Sequence, residues 1–178
     1  VDEIIVTVPE GLAEVIGVAD PVTLVTGGQT RTESVRRALA KVSFDRVLVH
    51  DAARPFVTSA VIDEIVASLD DYDCAYPVMP VVNSLVVDKR GELVKSPKRA
   101  KFREVQTPQG FRRDVLDAAY ASATGEFTDD AALVAAAGHP VRALDGHAHA
   151  FKITTPADLE RAKTIVSGKA QLAMRVGI

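Results

Sequence analysis

Val47-Leu48-Val49-His50-Asp51-Ala52-Ala53-Arg54-Pro55 is the stretch that decides the fold. Three consecutive aliphatic residues without polar alternation read as a strand covered on both faces, which requires a layer of helices on either side of a sheet. Upstream, Ile4 to Val8 and Val22 to Val25 read as two more strands, and the second runs into Thr26-Gly27-Gly28, where glycine permits a sharp turn. Thr30 and Glu33 form a capping box, after which Val35, Ala38, Leu39 and Val42 recur on one helix face. Downstream, Ile62, Ile65, Val66 and Leu69 mark a second helix stripe, and Ala75 to Val78 a further strand. The alternation predicts an α/β fold: a mostly parallel sheet with helices on both faces.

After Val78 the rhythm changes. Leu85-Val86-Val87 and Leu93-Val94 flank Asp88-Lys89-Arg90-Gly91, which predicts a β-hairpin inside an arm covering residues 81–103. Lys95, Lys98, Arg99, Lys101 and Arg103 make this the one dense basic cluster, read either as a solvated arm or as a projection with a partner. Helices are expected over Asp114 to Ala121 and from Thr128, taken as an N-cap ahead of Asp129 and Asp130. Short strands are expected at Val141 to Leu144 and Ala150 to Ile153. Thr155 and Pro156 then open a helix running through Ile165.

With 178 residues and 47% apolar side chains, the chain reads as a single domain, 1–178. Lys and Arg total 21 against 24 Asp and Glu, a net charge of -3, so no global basic field draws it onto nucleic acid or an anionic membrane. No apolar run approaches the roughly 18 residues of a membrane span. The single cysteine, Cys74, lies in an apolar run and reads as a small buried residue in a reducing cytoplasm. His147 and His149 lack an acidic or cysteine pattern beside them, so loop histidines are favoured over a metal site.

In open α/β sheets, ligands bind beyond the carboxyl ends of the strands. Gly27-Gly28, followed by a helix, offers backbone N–H groups to a base or phosphate, or is a plain turn. Asp51 and Arg54, two alanines apart at a strand end, suit joint recognition of a polyol and a phosphate, or form a structural ion pair. Lys152 lies before a capped helix, where a compact charge can meet a phosphate or simply be solvated.

His50-Asp51-Ala52-Ala53-Arg54-Pro55, Thr107-Pro108-Gln109, Thr128-Asp129-Asp130-Ala131 and Lys152-Ile153-Thr154 follow one another in the order seen in the methylerythritol phosphate cytidylyltransferases. With Gly27-Gly28, Arg31 and Ser34, the chain closely resembles that family over nearly its whole length. The resemblance implies a Rossmann-like nucleotidyltransferase in which the substrate phosphate attacks the α-phosphorus of CTP and releases pyrophosphate, with Mg2+ held largely by the triphosphate. It implies that Gly27, Gly28, Gln29 and Ser34 line the cytidine pocket, and that Asp51 and Arg54 hold methylerythritol phosphate with help from Thr128. Lys152, with Asp51, is the implied catalytic group, stabilising the α-phosphate. The arm is implied to make a homodimer in which Ser84 and Arg99 act on the partner's substrate phosphate.

Relatives that use ribitol phosphate share much of this pattern, which leaves that substrate open, as well as a non-catalytic dimerisation or scaffold role. Gln29 replaces the family's usual aspartate, Asn83-Ser84 an aspartate-threonine pair, and Val86 a lysine on the arm. The family begins with a strand, a glycine-rich loop carrying a catalytic arginine and a proline-lysine pair, none of which stands in these residues. These 178 residues alone are therefore expected to be inactive. The tail Met174-Arg175-Val176-Gly177-Ile178 resembles the opening of methylerythritol cyclodiphosphate synthase, which suggests a fused partner domain.

Overall fold

The computed structural model describes residues 1–12, 21–123, 127 and 129–167. Thr128 and the tail Met174 to Ile178 lie outside the described residues.

Strands β1 (Ile4–Val8) and β2 (Val22–Thr26) pair in parallel, and helix α1 (Arg31–Leu39) follows, capped by Thr30, whose side chain accepts from the Glu33 N–H. Next come β3 (Arg46–Val49), α2 (Ser59–Ser68) and β4 (Cys74–Pro80). The hairpin is β5 (Val87–Lys89) and β6 (Glu92–Lys95), and a single 3-10 turn at Arg99–Lys101 leads into β7 (Arg103–Val105). The chain closes with β8 (Gln109–Arg112), α3 (Arg113–Ser122), α4 (Asp130–Ala136), β9 (Val141–Asp145) and α5 (Pro156–Val166).

The α/β architecture is as the sequence indicates, but the strand directions are mixed. β4 pairs in parallel with β9, whereas β3–β8, β4–β8 and β4–β7 are antiparallel. The cause is β8, which the sequence pattern does not reveal. Its Gln109-Gly110-Phe111-Arg112 carries a glycine that weakens any strand signal, and that glycine is a packing requirement. A Cβ at Gly110 would stand 2.3 Å from Ile65 Cγ2 of α2. β3 pairs with β8 alone among the described residues, so its apolar side chains are half-buried rather than fully covered.

β4 is the central strand. Cys74 and Ala75 are completely buried and face opposite ways. Cys74 joins Phe111, Leu116, Tyr120 and Val134 under α3 and α4, while Ala75 joins Ile65, Leu69 and Leu144 under α2. Burial pushes the Cys74 thiol well above its ordinary range, with nearby aspartates adding to the rise, so it is an inert core group. Val78 pairs with both Val105 and Asp145, and Cys74 with both Phe111 and Val141. β7 and β8 therefore follow one another along the same side of β4, and Gln106, Thr107 and Pro108, with a cis Thr107–Pro108 peptide, form the step between them.

Three local expectations are corrected. The N-cap of α4 is Asp129, whose carboxylate accepts from the Ala131 N–H at 2.9 Å and so satisfies one of the helix's otherwise unpaired first-turn amides. Ala150 to Ile153 joins no strand ladder, since its backbone bonds go to a loop: Ile153 N–H donates to the Ala53 carbonyl at 2.8 Å. The hairpin turn is only Arg90-Gly91, both at positive φ (58° and 84°), which is the two-residue geometry that matches strand twist. Leu85 and Val86 fall outside the ladder, and Val86 (55%), Leu93 (68%) and Val94 (60%) are exposed along the arm.

Helix α5 begins with a full capping box. Thr155 accepts from the Asp158 N–H, and one Asp158 oxygen accepts from the N–H and hydroxyl groups of both Thr154 and Thr155. These bonds, led by the Thr154 N–H, hold the Asp158 carboxyl down at about 2, below its ordinary 3.8. A depressed carboxyl contributes stability above its unfolded value and loses it as pH falls through the folded one, here from about pH 4 to about 2. Thr155→Ala should cost about 1 kcal/mol at neutral pH, and melting curves of this variant should be less acid-sensitive over that window than those of the parent.

Candidate functional site

The loop after β3 is built by its own polar atoms. The Arg54 N–H donates to the Asp51 carbonyl (2.9 Å), and the Asp51 N–H donates to Thr107 Oγ1 (3.0 Å) on the β7–β8 step. Arg54 then reaches back, donating from Nη1 to the Ala150 carbonyl (2.9 Å) and from Nη2 to the Val105 carbonyl (3.2 Å). Its Nε is buried without a hydrogen-bond partner and lies 3.6 Å from Asp51 Oδ2. Lys152 Nζ stands 3.1 Å from the same oxygen.

Asp51, Arg54 and Lys152 thus converge at the carboxyl end of β3, as the sequence reading expects. Arg54 and Asp51 are 13% and 20% exposed, whereas Lys152 is 46% exposed, so the lysine is the member that faces solvent. Burial alone raises the Asp51 carboxyl. The Lys152 hydrogen bond and charge, with Arg31 and Arg54 behind them, outweigh that and hold it below its ordinary range. The cluster is an anion flanked by two cations.

Gly27, Gly28, Gln29 and Ser34 line a separate cleft of about 580 Å³ between the ends of β1 and β2. Each of its backbone N–H groups already has an acceptor within the protein. Gly27 N–H donates to the Val8 carbonyl (2.8 Å), Gly28 N–H to Ser34 Oγ (3.0 Å) and Gln29 N–H to Glu33 Oε2 (2.8 Å). The first turn of α1 supplies the last two partners, and the Ser34 hydroxyl in turn donates to the Thr30 carbonyl (3.0 Å). Glu33 lies so closely over Gly28 that an added Cβ would meet its Cγ at 2.3 Å.

A buried network absent from the sequence reading joins the helices around these sites. Arg31 Nη1 and Nη2 donate to Asp130 Oδ1 and Oδ2 at 3.0 and 2.7 Å, and the Tyr120 hydroxyl donates to Asp130 Oδ1. Asp130 is 2% exposed. Burial and this carboxylate push the Tyr120 phenol well above its usual range. Buried Gln109 accepts the Ala131 N–H at 3.1 Å, so α1, α3, α4 and β8 are tied at one point. An aspartate in a first helical turn reads as a solvated dipole partner, and no local spacing marks Arg31 as its mate, 99 residues away.

Ser84 and Arg99 sit on the arm. Arg99 donates to the Val82 carbonyl, and among the described residues neither side chain bonds to Asp51, Arg54 or Lys152.

A family model described as IspD, 2-C-methyl-D-erythritol 4-phosphate cytidylyltransferase, matches residues 1–168. The 2-C-methyl-D-erythritol 4-phosphate cytidylyltransferase of Frankia casuarinae is 44% identical over 173 residues, covering 94% of this chain and 65% of that protein. The bifunctional enzyme IspD/IspF of Rhodospirillum rubrum is 41% identical over 165 residues, covering 90% of this chain and 42% of that one. The crystal structure of the Thermus thermophilus 2-C-methyl-D-erythritol 4-phosphate cytidylyltransferase superposes with a TM-score of 0.85 at 37% identity, covering 93% of this chain and 82% of that one. The motifs at the rim of the sheet, the fold that gathers them and the match over nearly all of the sequence agree, and the chain belongs to the IspD family of cytidylyltransferases.

Proposed function

We propose that the protein transfers CMP from CTP to 2-C-methyl-D-erythritol 4-phosphate, giving 4-diphosphocytidyl-2-C-methyl-D-erythritol and pyrophosphate. The observation that carries the reading is the convergence of Lys152 and Arg54 on the Asp51 carboxylate at one sheet rim. A phosphate oxygen of the acceptor attacks the α-phosphorus of CTP. The new P–O bond forms as the α–β phosphoanhydride breaks, and its electron pair leaves on pyrophosphate. Such a reaction needs positioning and charge stabilisation more than covalent chemistry from the protein.

In this reading Lys152 moves from Asp51 to the α-phosphate as charge builds there, and Asp51, freed of it, accepts from the polyol hydroxyls. Arg54 frames the pocket through the Val105 and Ala150 carbonyls and adds its charge. Thr128 assists in holding the acceptor, and Gly27, Gly28, Gln29 and Ser34 receive the cytosine, displacing Glu33 from the Gln29 N–H. Among the described residues no group of three or more His, Cys, Asp or Glu could hold a metal ion. Mg2+ would enter with CTP as its counter-ion, held by the phosphate oxygens.

The exposed apolar residues and basic cluster of the arm support a homodimer in which Ser84 and Arg99 reach the partner's site. A cytoplasmic setting suits the buried Cys74 thiol, and no helix of the described residues is long and apolar enough to cross a membrane. The bifunctional relatives favour a cyclodiphosphate synthase continuing from the same reading frame.

Pyrophosphate release by the full-length protein tests the reaction: release with CTP and methylerythritol phosphate is expected. Release only with ribitol phosphate would change the substrate, and none with either would leave a scaffold. Mixed dimers of Arg99→Ala and Asp51→Ala subunits should recover part of the activity that each variant lacks alone. No recovery would mean that each subunit works by itself.

A further inference from the structure

His50 and Thr107 belong to motifs that the reaction chemistry leaves without a role, yet their polar atoms form a closed set around the Asp51 loop. Thr107 Oγ1 lies 3.0 Å from the Asp51 amide nitrogen and 3.0 Å from His50 Nδ1, while His50 Nε2 lies 3.1 Å from the Arg54 carbonyl oxygen. An amide N–H can only donate, so the Thr107 hydroxyl accepts from Asp51 and its single proton points elsewhere. His50 Nε2 faces the Arg54 carbonyl, which can only accept, so the proton of a neutral ring sits on Nε2. Nδ1 then presents a lone pair, and it is the partner that receives the Thr107 proton. Every donor of the set has an acceptor. Thr107 is 6% exposed, so water offers its hydroxyl little alternative.

We infer that Thr107 and the neutral, Nε2-protonated form of His50 are positioning residues, a bracket that fixes both ends of the 50–54 loop and so holds the Asp51 carboxylate against Lys152. The bracket is anchored on the step between β7 and β8, next to the Val105 carbonyl that receives Arg54. Neither residue needs to touch substrate. Their effect on turnover rests on the proposed reaction, whereas the tautomer does not.

Long-range proton–nitrogen NMR on 15N-labelled protein reads the ring directly. At neutral pH His50 should show the Nε2-protonated tautomer, and Thr107→Val should lose that single form while Thr107→Ser keeps it. The Nδ1-protonated tautomer in the parent protein would overturn the bracket, even if the valine variant failed to fold. In the full-length enzyme, Thr107→Val should lower kcat about tenfold or more, and serine, which keeps the hydroxyl, should restore it. Unchanged kcat in Thr107→Val would remove the positioning role. An inactive parent enzyme with the expected tautomer would refute the proposed reaction and leave the bracket standing.

Discussion

Lys152→Ala in the full-length enzyme is expected to lower kcat about a hundredfold or more, the scale of losing one preorganised electrostatic stabiliser. The side chain is the solvent-facing member of its cluster, 3.1 Å from the Asp51 carboxylate. Its removal has a second consequence. Asp51 keeps only Arg54 Nε at 3.6 Å and the more distant charge of Arg31, so a carboxylate with less compensation faces the incoming phosphate. The Asp51→Asn, Lys152→Ala double variant should therefore bind CTP better than Lys152→Ala alone, as expected for residues sharing one contact. Turnover within a few-fold of the parent in Lys152→Ala would remove the lysine from the mechanism.

Arg31→Leu should destabilise the fold by about 3 kcal/mol, at the lower end for breaking a buried pair. Asp130 would be left almost fully buried with, among the described residues, only the Tyr120 hydroxyl as a side-chain partner, but Arg31 is itself 35% exposed, so water can reach the vacated space. At about 2–4 °C per kcal/mol for a domain of this size, the melting temperature should fall by roughly 6–12 °C. Replacing both members, Arg31→Leu with Asp130→Leu, should recover much of the loss, because two apolar groups leave no orphaned charge. A melting temperature within about 2 °C of the parent for Arg31→Leu would show that the pair is not a structural tie.

What the sequence makes legible is local. The Thr155 cap, the α2 stripe on Ile65 and Leu69 and the hairpin all follow from spacings of a few residues. The meeting of Asp51, Arg54 and Lys152 was legible for a different reason: the first two follow the end of β3 and the third lies in the loop that leads into α5, and the loops at one edge of an α/β sheet share a rim. Direction was not legible. Aliphatic runs reveal that a strand is buried but not which neighbour it pairs with, and β8 hides because Gly110 serves the approach of α2 rather than the strand. Nor was the state of the glycine loop, whose N–H groups are taken by Ser34 and Glu33, since exposed amides and self-capped amides share one sequence. The Arg31–Asp130 pair spans 99 positions, and only the folded arrangement of the helices brings it together.

A crystal structure of the full-length protein with CTP bound is the most direct check. The α-phosphate should lie within hydrogen-bonding reach of Lys152 Nζ, with Asp51 turned toward the acceptor side and cytosine in the cleft beside Gly28 and Ser34. A triphosphate bound away from the Asp51 rim, with Lys152 still paired to Asp51, would contradict it.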